Sequence, residues 1–462
     1  MSFHVEHSAA TLDGLLLEAL PNGGVYAVGG RVRDEVLAEL GRTPPTSPDL
    51  DYLVTGVRLN ELLDRLADVG RAELVGASFG VVKFASGDLM ADVALPRTER
   101  STGPHHREFE VRSSPDIPLE DDLARRDFRM NMMARDLRTG AIIDPYGGRA
   151  DIEAFRLDAL KERAFVEDPL RVLRGAQFAA RFALSATERT ARGMRAAAEL
   201  LPTIAPERLA DELSKLLKRA RKPSIGFELL RETSALESIL PELMEGWGVE
   251  QNEFHAYTVY YHALACCDAA RPDLVLRLAA LLHDVGKPRT KEGGHFYRHE
   301  FVGAEMAKQA LLRLRFPNDV VDAVCDLIAH HMYQADSAMT DAAVRRFIRR
   351  VGAEQLTPLF ELRRADTVAS GLPARDPERN ALFEQRVMDT LEAAPPFGVK
   401  DLAIGGDEVI SVMREAGVVG ADYRGDARVG EALQAALEAV LDDPHKNEPH
   451  ILRALVRAHF GR

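Results

Sequence analysis

Two short stretches near the start of the chain decide its fold: GGRVRD at residues 29–34 and DLD at residues 49–51. The first follows the apolar run VYAV and opens the helical pattern RVRDEVLAEL, so it predicts a strand–turn–helix unit around Gly29 and Gly30. Such a junction exposes backbone N–H groups and the positive end of a helix to an anion, and Arg33 adds a cation. The glycines match neither the G-x-G-x-x-G dinucleotide pattern nor the Walker-type phosphate loop. Taken alone, they are equally compatible with a tight turn.

The second stretch predicts a metal site. Asp49 and Asp51 begin the predicted strand DLDYLV, and alternation along a strand points both carboxylates the same way. Mg²⁺ suits such a pair, because it prefers hard oxygen ligands and keeps positions for water and phosphate. Two such ions activate an attacking oxygen and stabilise a leaving one. Asp92, on the predicted strand LMADVALP, completes the predicted site; a surface turn is the alternative for an isolated D-x-D pair.

A third element lies in EDDLARRDFRMNMMARD at residues 120–136. Arg125 and Arg126 offer cations for phosphate, and Asp127 offers a carboxylate for a ribose hydroxyl. By itself this is an ordinary charge cluster on a helix. Combined with the paired aspartates and the glycine turn, it indicates a metal-dependent nucleotidyltransferase.

The composition sets the wider frame. The 462 residues are too many for a single core, and 46% apolar residues indicate globular domains. The net charge of −13 speaks against a general nucleic-acid coat, but residues 161–222 carry 14 Lys and Arg against eight Asp and Glu. The three cysteines indicate a reducing compartment, and neither a signal peptide nor a membrane span is expected, so we predict a cytoplasmic protein. No feature indicates a protein partner.

The order of the patterns predicts an α+β fold, with an N-terminal α/β head built on a small sheet and a long helical body behind it. Strand patterns cover residues 23–30, 49–56, 72–85 and 89–96, and residues 97–119 are expected to form a mobile loop. From about residue 150 onward only helical spacing is expected.

These motifs, taken in order, resemble the class II tRNA nucleotidyltransferase/poly(A) polymerase family, and in particular its bacterial CCA-adding enzymes. GGRVRD with DLD resembles the first family motif and RRDFRMN the second. IDPYGGRADI at 143–152 resembles the hinge motif, EDPLRVLR at 167–174 the nucleotide-templating motif, and PERLADEL at 206–213 the fifth.

The resemblance implies that a tRNA 3′-hydroxyl attacks the α-phosphate of bound CTP or ATP and that pyrophosphate leaves. Asp49 and Asp51 would hold Mg²⁺, while Asp168 and Arg171 would read the base edge. The implied nucleotide-binding set lies within the matching motifs: Gly29, Gly30, Arg33, Arg125, Arg126, Asp127, Asp168, Arg171 and Arg174.

Gln177 departs from the family pattern, which usually has an arginine three residues beyond the position of Arg174. The departure leaves the pattern of nucleotide addition open. Ala77 and Ser78 stand where poly(A) polymerases tend to carry paired basic residues, which favours the tRNA enzyme. The 18 residues between RTER and LEDDL resemble the loop with which complete enzymes switch from C to A.

A second group of residues resembles the HD phosphohydrolase superfamily. The resemblance implies a divalent transition metal bound by His262, His283, Asp284 and Asp366, and some bacterial CCA enzymes carry such a domain with phosphatase and 2′,3′-cyclic phosphodiesterase activity. His299 and either His330 or His331 would lie nearby. A degenerate HD fold retained as a scaffold is the alternative.

The resemblances together predict four segments: a nucleotidyltransferase head at 1–160, a helical neck at 161–248, an HD domain at 249–370 and a helical tail at 371–462. The leading hypothesis is a CCA tRNA nucleotidyltransferase with tRNA, CTP and ATP as partners. Its alternatives are an enzyme that adds only CC or only A, a poly(A) polymerase, and an HD phosphodiesterase or tRNA-binding protein with a relic head.

Overall fold

The computed structural model describes residues 2–42, 50–75, 80–101, 109–253, 255–336, 338–372, 377–393 and 395–461. Asp49, Ala77 and Ser78 lie outside the described residues. The chain divides into two compact units, the first formed by residues 1–244 with 313–315 and the second by 245–312 with 316–462. The division into four segments stays a prediction.

The head begins the first unit and alternates helices with strands, as the sequence predicts. Its elements in chain order are α1 (Ser2–Ala19), β1 (Gly24–Val28), α2 (Gly30–Glu39), β2 (Asp51–Thr55), α3 (Leu59–Ala67), β3 (Arg71–Val75), β4 (Val81–Ser86), β5 (Leu89–Ala94), β6 (Arg97–Ser101), β7 (Phe109–Ser113), α4 (Leu119–Ala124), β8 (Ala134–Asp136) and β9 (Ile142–Ile143).

Seven of these strands form one mixed sheet in the order β3-β4-β5-β2-β1-β8-β9. Strand β1 pairs antiparallel with β2 and β8, whereas β2 and β5 are parallel. The parallel register sets Asp51 directly opposite Asp92. Tyr52 and Val93, the next residues along, are buried, so the alternation of a strand turns both aspartates to the other face.

One face of the sheet packs against α4. Val28 and Leu53 from the sheet meet Leu119 and Leu123 from the helix in a buried cluster that also includes Met132. This packing fixes the chain just before Arg125 and Arg126, which follow α4 directly. The core therefore determines where the two arginines lie relative to the β1–α2 turn.

The expectation of a mobile loop over residues 97–119 is wrong for the strands on its two sides. Strands β6 and β7 form an antiparallel pair, with Arg97 opposite Ser113 and Thr98 opposite Arg112. The Gly, Pro and Ser content of the segment outweighed its β-forming residues in the sequence pattern. Residues 102–108 lie outside the described residues.

Helices dominate the rest of the first unit, but the strands do not end at residue 150. Two-residue strands β10 and β11 form a short parallel pair between helices, too brief for a periodic pattern to reveal. The elements are α5 (Gly148–Glu153), β10 (Arg156–Leu157), α6 (Ala164–Glu167), α7 (Leu170–Phe182), β11 (Ser185–Ala186), α8 (Glu188–Ala197), α9 (Pro206–Arg219), α10 (Ser224–Glu232), α11 (Ala235–Ile239) and α12 (Pro241–Met244).

Among its described residues, the second unit has helices and one small hairpin, formed by β12 and β13, which the sequence analysis also missed. No helix among the described residues is long and apolar enough to cross a membrane. The elements are α13 (Val259–Ala269), α14 (Leu274–Leu282), β12 (Lys291–Glu292), β13 (His295–Phe296), α15 (His299–Arg313), α16 (Asn318–His330), α17 (Asp341–Val351), α18 (Ala353–Ala369), α19 (Pro377–Glu392), α20 (Gly406–Glu415), α21 (Ala427–Asp442) and α22 (Pro449–Phe460).

The last three helices surround a hydrophobic core of their own, with Val412, Leu437 and Leu452 fully or almost fully buried. The whole arrangement, an α/β head with a small sheet followed by helical regions, confirms the predicted α+β fold.

Candidate active site and metal-binding cluster

The glycine turn brings three sequence motifs to one place. Gly29 caps α2 with φ of 71° and ψ of −132°, in a region that residues with side chains rarely adopt. A Cβ atom added there would lie 3.1 Å from Nη1 of Arg126 and 3.4 Å from Oδ2 of Asp51. The residue must therefore be small, because the paired-arginine motif and the aspartate motif both close on it.

A cavity of about 540 Å³ opens beside this turn. All nine residues of the predicted nucleotide-binding set line it, together with Asp51. The described residues that line it include nine Arg and Lys against five Asp and Glu, although the chain as a whole carries a net charge of −13. A concentration of positive charge in a concave site is suited to a polyanion such as a triphosphate.

A chain of hydrogen bonds crosses the cavity wall from α2 to α7. Arg33 Nη1 donates to Asn131 Oδ1 at 2.9 Å, and Asn131 Nδ2 donates to Asp127 Oδ1 at 2.8 Å. Arg174 Nε donates to Asp127 Oδ2 at 2.9 Å. The guanidinium of Arg33 also lies 4.7 Å from the ring centroid of Phe182 at the end of α7. Hydrogen bonds thus connect Arg33 of the first motif to Arg174 on helix α7.

Asp127 is the central member of that network. Burial raises the pKa of its carboxyl, but Arg174 and Asn131 outweigh burial and lower the pKa to about 2. The charge of Asp127 in turn raises the pKa of Arg174. Both oxygens of Asp127 accept from protein donors, with the N–H of Phe128 as a further one at 2.8 Å. In this structure the carboxylate positions Arg174, and a ribose contact stays a prediction.

Asp168 and Arg171, the pair predicted to read the base, lie beside the paired arginines, and Arg171 is hydrogen-bonded to their backbone. Arg171 Nη2 donates to the carbonyl of Arg125 at 2.7 Å and Nη1 to that of Arg126 at 3.4 Å. Its Nε lies 3.8 Å from Oδ2 of Asp168, whose side chain is one-third exposed. Asp168 and Arg171 therefore present a carboxylate and a guanidinium side by side on the cavity wall.

Asp122, fully buried on α4, holds the arginine pair from behind. Its oxygens accept from Nε of Arg125 at 2.9 Å and from Nη2 of Arg126 at 3.3 Å. The backbone N–H of Arg97 adds a third bond at 3.1 Å. The sequence analysis did not single out Asp122 or Asn131, although both lie within or beside the second motif.

The carboxylates of the sheet fit a magnesium site in part. Asp51 lines the cavity and offers a hard oxygen ligand, which is the donor type that Mg²⁺ requires. Asp92 lies opposite Asp51 in the sheet register. Its Oδ1 is 2.6 Å from Nζ of Lys83, so the Asp92 carboxylate already forms an ion pair within the protein. Asp92 is also not among the described residues that line the cavity. Asp51 is therefore the better-placed ligand of the two.

The second unit gathers four histidines and two aspartates in its interior. Nε2 of His262 and Nε2 of His283 lie 3.2 Å apart, and those of His299 and His331 lie 3.3 Å apart. Asp284 and Asp366 complete the group, which we call the HD cluster: His262, His283, Asp284, His299, His331 and Asp366.

The backbone fixes which ring nitrogen faces the cluster. Nδ1 of His262 donates to the carbonyl of Ala369 at 3.1 Å, and Nδ1 of His283 donates to that of Ala280 at 2.9 Å. His299 and His331 donate in the same way to the carbonyls of Phe296 and Ile328. Nε2 of each ring then faces the interior of the cluster, an arrangement typical of metal-binding histidines.

The carboxylates of the cluster are strongly acidic. Burial raises the pKa of Asp284, but His283 and Lys287 outweigh it and hold the pKa well below its usual range. Burial likewise raises the pKa of Asp366, and its hydrogen bond with His262 more than reverses this. Burial lowers the pKa of His331 to about 3. Carboxylate oxygens beside imidazole nitrogens form a donor set that suits a divalent transition metal.

The structure also chooses between the two adjacent histidines at the end of α16. His331 is buried in the HD cluster, whereas His330 turns away and its Nδ1 donates to the carbonyl of Asp326 at 2.8 Å. His255, which the sequence analysis did not assign, joins the edge of the cluster with its ring centroid 4.7 Å from that of His262. Burial, followed by the charge of Lys287, lowers the pKa of His255 to about 4.

Comparison with known proteins agrees with this architecture. Residues 25–158 match a family model described as the poly A polymerase head domain, and residues 253–371 match one described as the HD domain. Residues 184–246 match a probable RNA and SrmB-binding site of polymerase A. A multifunctional CCA protein of Cupriavidus taiwanensis is 39% identical over 346 residues, which cover 71% of this chain and 80% of the relative.

A multifunctional CCA protein of Cupriavidus pinatubonensis is 34% identical over 443 residues, covering 90% of this chain and 98% of the relative. This chain belongs to the multifunctional CCA protein family. It is therefore an enzyme, a nucleotidyltransferase that carries an HD domain.

Solved structures share the fold of this family member. The CCA-adding enzyme of Bacillus stearothermophilus in complex with CTP matches with a TM-score of 0.69 and 24% identity, over 98% of this chain and 97% of that one. The Thermotoga maritima CCA-adding enzyme complexed with tRNA matches with a TM-score of 0.55 and 21% identity, over 98% of each chain.

Three site residues that the sequence analysis of this multifunctional CCA protein family member missed, Asn131, Asp122 and His255, are only weakly marked by their spacing in the sequence. Asn131 lies at the end of RRDFRMN and Asp122 four residues before Arg126, so the spacing of a helical turn hints at both. His255 stands seven residues before His262, at two-turn spacing, in a segment that ordinary pattern reasoning treats as a linker.

Proposed function

We propose that this chain adds C, C and A to the 3′ end of tRNA, using CTP and ATP and releasing pyrophosphate. The observation that carries the proposal is the convergence of Gly29, Asp51 and Arg126 at one cationic cavity whose other wall presents Asp168 and Arg171. The relatives are named multifunctional CCA proteins, and solved neighbours were determined with CTP, ATP or tRNA.

Triphosphate binding would use the glycine turn and its arginines. The start of α2 and the guanidinium of Arg126 lie beside the Asp51 carboxylate. The phosphates would therefore accept hydrogen bonds from the N–H groups of α2 and from Arg126, next to Asp49 and Asp51. Asp51, with Asp49, would hold Mg²⁺, which supplies charge neutralisation of the phosphates and activation of the attacking hydroxyl. Asp92 is the weaker candidate because of its ion pair with Lys83.

The same geometry would align the reacting atoms. The attacking 3′-hydroxyl gives up its proton as its oxygen bonds to the α-phosphorus, and the bond to the pyrophosphate oxygen breaks. Arg126, held by Asp122, would stabilise the charge that accumulates on the phosphates. Such positioning accounts for a large share of catalysis in phosphoryl transfer.

Base selection would fall to Asp168 and Arg171. A carboxylate accepts from the exocyclic amino group that both C and A carry, and a guanidinium donates to their ring acceptors. Uracil and guanine present the wrong pattern. Because Arg171 is bonded to the backbone of the paired arginines, the base reader and the phosphate-binding residues would keep a constant separation.

The experiment that tests this function uses tRNA truncated before CCA, incubated with CTP and ATP, followed by sequencing of the 3′ ends. Complete CCA ends are the expected product. Ends that stop at CC would support a partial enzyme, addition of A alone to tRNA ending in CC would support an A-adding enzyme, and long A tails would support a poly(A) polymerase.

A second candidate function concerns the HD cluster. We infer that it binds a divalent transition metal and hydrolyses phosphate esters, because imidazole nitrogens and carboxylate oxygens converge there in groups whose ligand atoms lie within 4.8 Å of one another. The test measures phosphate or nucleotide release from 2′,3′-cyclic substrates with Ni²⁺, Co²⁺ or Mn²⁺ added. We expect hydrolysis in the parent chain and none in His283→Ala; an inert parent chain would support the scaffold alternative.

A further inference from the structure

We propose that Asp13, on helix α1, is a positioning residue for nucleotidyl transfer, because its carboxylate binds side chains beside both the glycine turn and Asp51. The proposal rests on the proposed roles of Gly29 and Asp51 in holding the triphosphate and its metal. It goes beyond them because Asp13 lies outside the sequence motifs of that site. Asp13 would act through its two hydrogen-bonding partners, Arg31 and Tyr52.

The three side chains form a closed triangle of hydrogen bonds, which we call the Asp13 triad: Asp13, Arg31 and Tyr52. Nη1 and Nη2 of Arg31 donate to Oδ1 and Oδ2 of Asp13 at 2.7 and 2.6 Å. The hydroxyl of Tyr52 donates to Oδ1 of Asp13 at 2.7 Å and accepts from Nη1 of Arg31 at 3.0 Å. A two-pronged arginine–carboxylate pair fixes direction as well as distance. The triangle therefore restrains all three members together.

Two members of the Asp13 triad are chain neighbours of proposed site residues. Arg31 lies in the first turn of α2, whose N–H groups are proposed to contact the phosphates. Tyr52 follows Asp51 on β2, and successive side chains of a strand point to opposite faces, so Asp13 binds Tyr52 on the face opposite Asp51. The triad members are not among the described residues that line the cavity. The triad thus restrains the glycine turn and Asp51 from behind the sheet.

The burial of the Asp13 triad separates it from an ordinary surface ion pair. Tyr52 is 1% exposed and Arg31 is 7% exposed. Burying charged groups costs hydration, and apolar side chains of similar size often stabilise a fold as well. The polar version adds a defined geometry, because hydrogen bonds accept a narrow range of distances and angles. Such geometry matters at Gly29, where a Cβ atom would lie 3.4 Å from Oδ2 of Asp51.

A second attachment of α2 shows what the loss of Asp13 would release. Nε of Arg31 donates to Oε1 of Glu35 at 3.0 Å, and Nε of Arg135 on β8 donates to Oε2 of Glu35 at 2.6 Å. Helix α2 is therefore attached to β2 through Asp13 and to β8 through Glu35, and these two strands flank β1. Without Asp13 only the attachment to β8 remains, and the start of α2 would be free to shift relative to Asp51.

The test measures nucleotide incorporation into tRNA by the full-length chain, well below its unfolding temperature. We expect Asp13→Ala to lower kcat by about tenfold to a hundredfold, the loss typical of misplaced reacting groups. The Mg²⁺ concentration for half-maximal rate should rise severalfold, and the KM for tRNA should stay within about twofold. Tyr52→Phe removes only the hydroxyl and keeps the buried ring, so it preserves the fold. It should shift kcat and the Mg²⁺ requirement in the same direction by a smaller factor.

Arg138→Ala is the matched control, because Arg138 also anchors α1 but does so beyond its C-terminal end. Its Nη2 donates to the carbonyl of Leu20 and, at 2.9 Å, to that of Gly23, which precedes the start of β1 rather than the glycine turn. Arg138→Ala should lower the thermal unfolding temperature and keep kcat and the Mg²⁺ requirement within about twofold of the parent values.

Parental kcat and Mg²⁺ requirement in both Asp13→Ala and Tyr52→Phe would overturn the proposal. An equal loss in Arg138→Ala would overturn it too, because general attachment of α1 would then be the cause. The assay scores incorporation of either CMP or AMP. A parent chain that produces CC or A ends in place of CCA would therefore contradict the proposed function and leave the role of Asp13 to be decided by the same variants.

Discussion

The cationic cavity of the first unit and the HD cluster of the second differ in how their polar groups are paired. In the cavity, charged groups are already held by partners: Asp127 binds Arg174, and Asp122 binds both Arg125 and Arg126. In the HD cluster, ligand atoms of the same kind face one another across 3.2–3.3 Å. The cavity is thus preorganised for a ligand that arrives and leaves, whereas the cluster presents closely spaced atoms of the types that bind metal ions.

The largest effect that separates the two regions is expected from Asp51→Ala. Losing the carboxylate at the cavity should lower CCA addition by about a thousandfold or more, because charge neutralisation at the phosphates would be lost. Metal binding by the HD cluster should not change. Steady-state kinetics and a metal count measure the two outcomes. Asp92→Ala is the comparison, with a smaller expected loss because Asp92 is paired with Lys83; equal losses would show that both aspartates hold the metal.

The reverse experiment is His283→Ala. Removing this ligand should lower hydrolysis of 2′,3′-cyclic substrates by at least about a hundredfold. CCA addition should stay within about twofold, because the two sites belong to different compact units and share no residue. Parallel assays on one preparation give both values. A matching fall in CCA addition would contradict the separation of the two sites.

Gly29→Ala tests how tightly the cavity is assembled. The left-handed φ should cost about 1–2 kcal/mol of stability, and the new Cβ should displace Arg126 and lower kcat/KM by roughly tenfold or more.

Gly41 offers a matched control. It has the same φ of 71°, and nothing lies within 4 Å of a Cβ added there. Gly41→Ala should therefore lose stability and keep kcat/KM. Thermal unfolding and kinetics on both variants make the comparison; equal activities would mean that the approach of Arg126 and Asp51 to Gly29 is not needed.

A smaller, pH-dependent effect is expected from the Asp127–Arg174 pair. The folded-state pKa of Asp127, about 2, lies below the ordinary 3.8, so its contribution of about 2 kcal/mol is present above the ordinary pKa. The contribution should diminish as the pH falls from about 5 towards 2. Urea unfolding of the parent and Asp127→Asn across this range measures it. A stability difference that does not shrink with acid would rule out the charge of Asp127 as its source.

The smallest effect is expected at Gln177, where the sequence departs from the family. The side chain is 2% exposed, and its Nε2 donates no hydrogen bond to the described residues. Gln177→Met should change the free energy of unfolding by less than about 1 kcal/mol, because removing an unsatisfied buried donor offsets the altered shape. The order of nucleotide addition should be unchanged in the tRNA-end assay. A shift from CCA to CC products would show that Gln177 contacts the nucleotide.

The sequence predicts best what depends on neighbours along the chain. The strand–turn–helix unit at Gly29 and the placement of Asp51 at the start of a strand follow from local periodicity, and the structure contains both elements. The pair of strands β6 and β7 was missed because turn-forming residues dominate the segment between and after them. When two short strand patterns flank many turn-forming residues, the sequence pattern predicts a loop instead of strands.

Residues whose position depends on distant partners were harder to find. Asn131 matters because it joins Arg33 to Asp127, and a contact between residues 98 positions apart leaves no local pattern. His330 and His331 are adjacent in sequence, so only the packing of α16 decides which ring enters the HD cluster. His255 reaches the cluster from outside any helix, so its seven-residue spacing from His262 is only a weak signal.

Helix α7 has a consequence for the size of the substrate. Arg171 near its start adjoins Asp168, the carboxylate proposed to read the base, and Phe182 at its end packs against the guanidinium of Arg33. Eleven residues of helix separate them, a length of about 16 Å that side-chain motion cannot change. We therefore expect α7 to fix the distance between the residues proposed to contact the base edge and those proposed to contact the phosphates. A nucleotide with too few phosphates would then contact the residues at one end of α7 without reaching those at the other end.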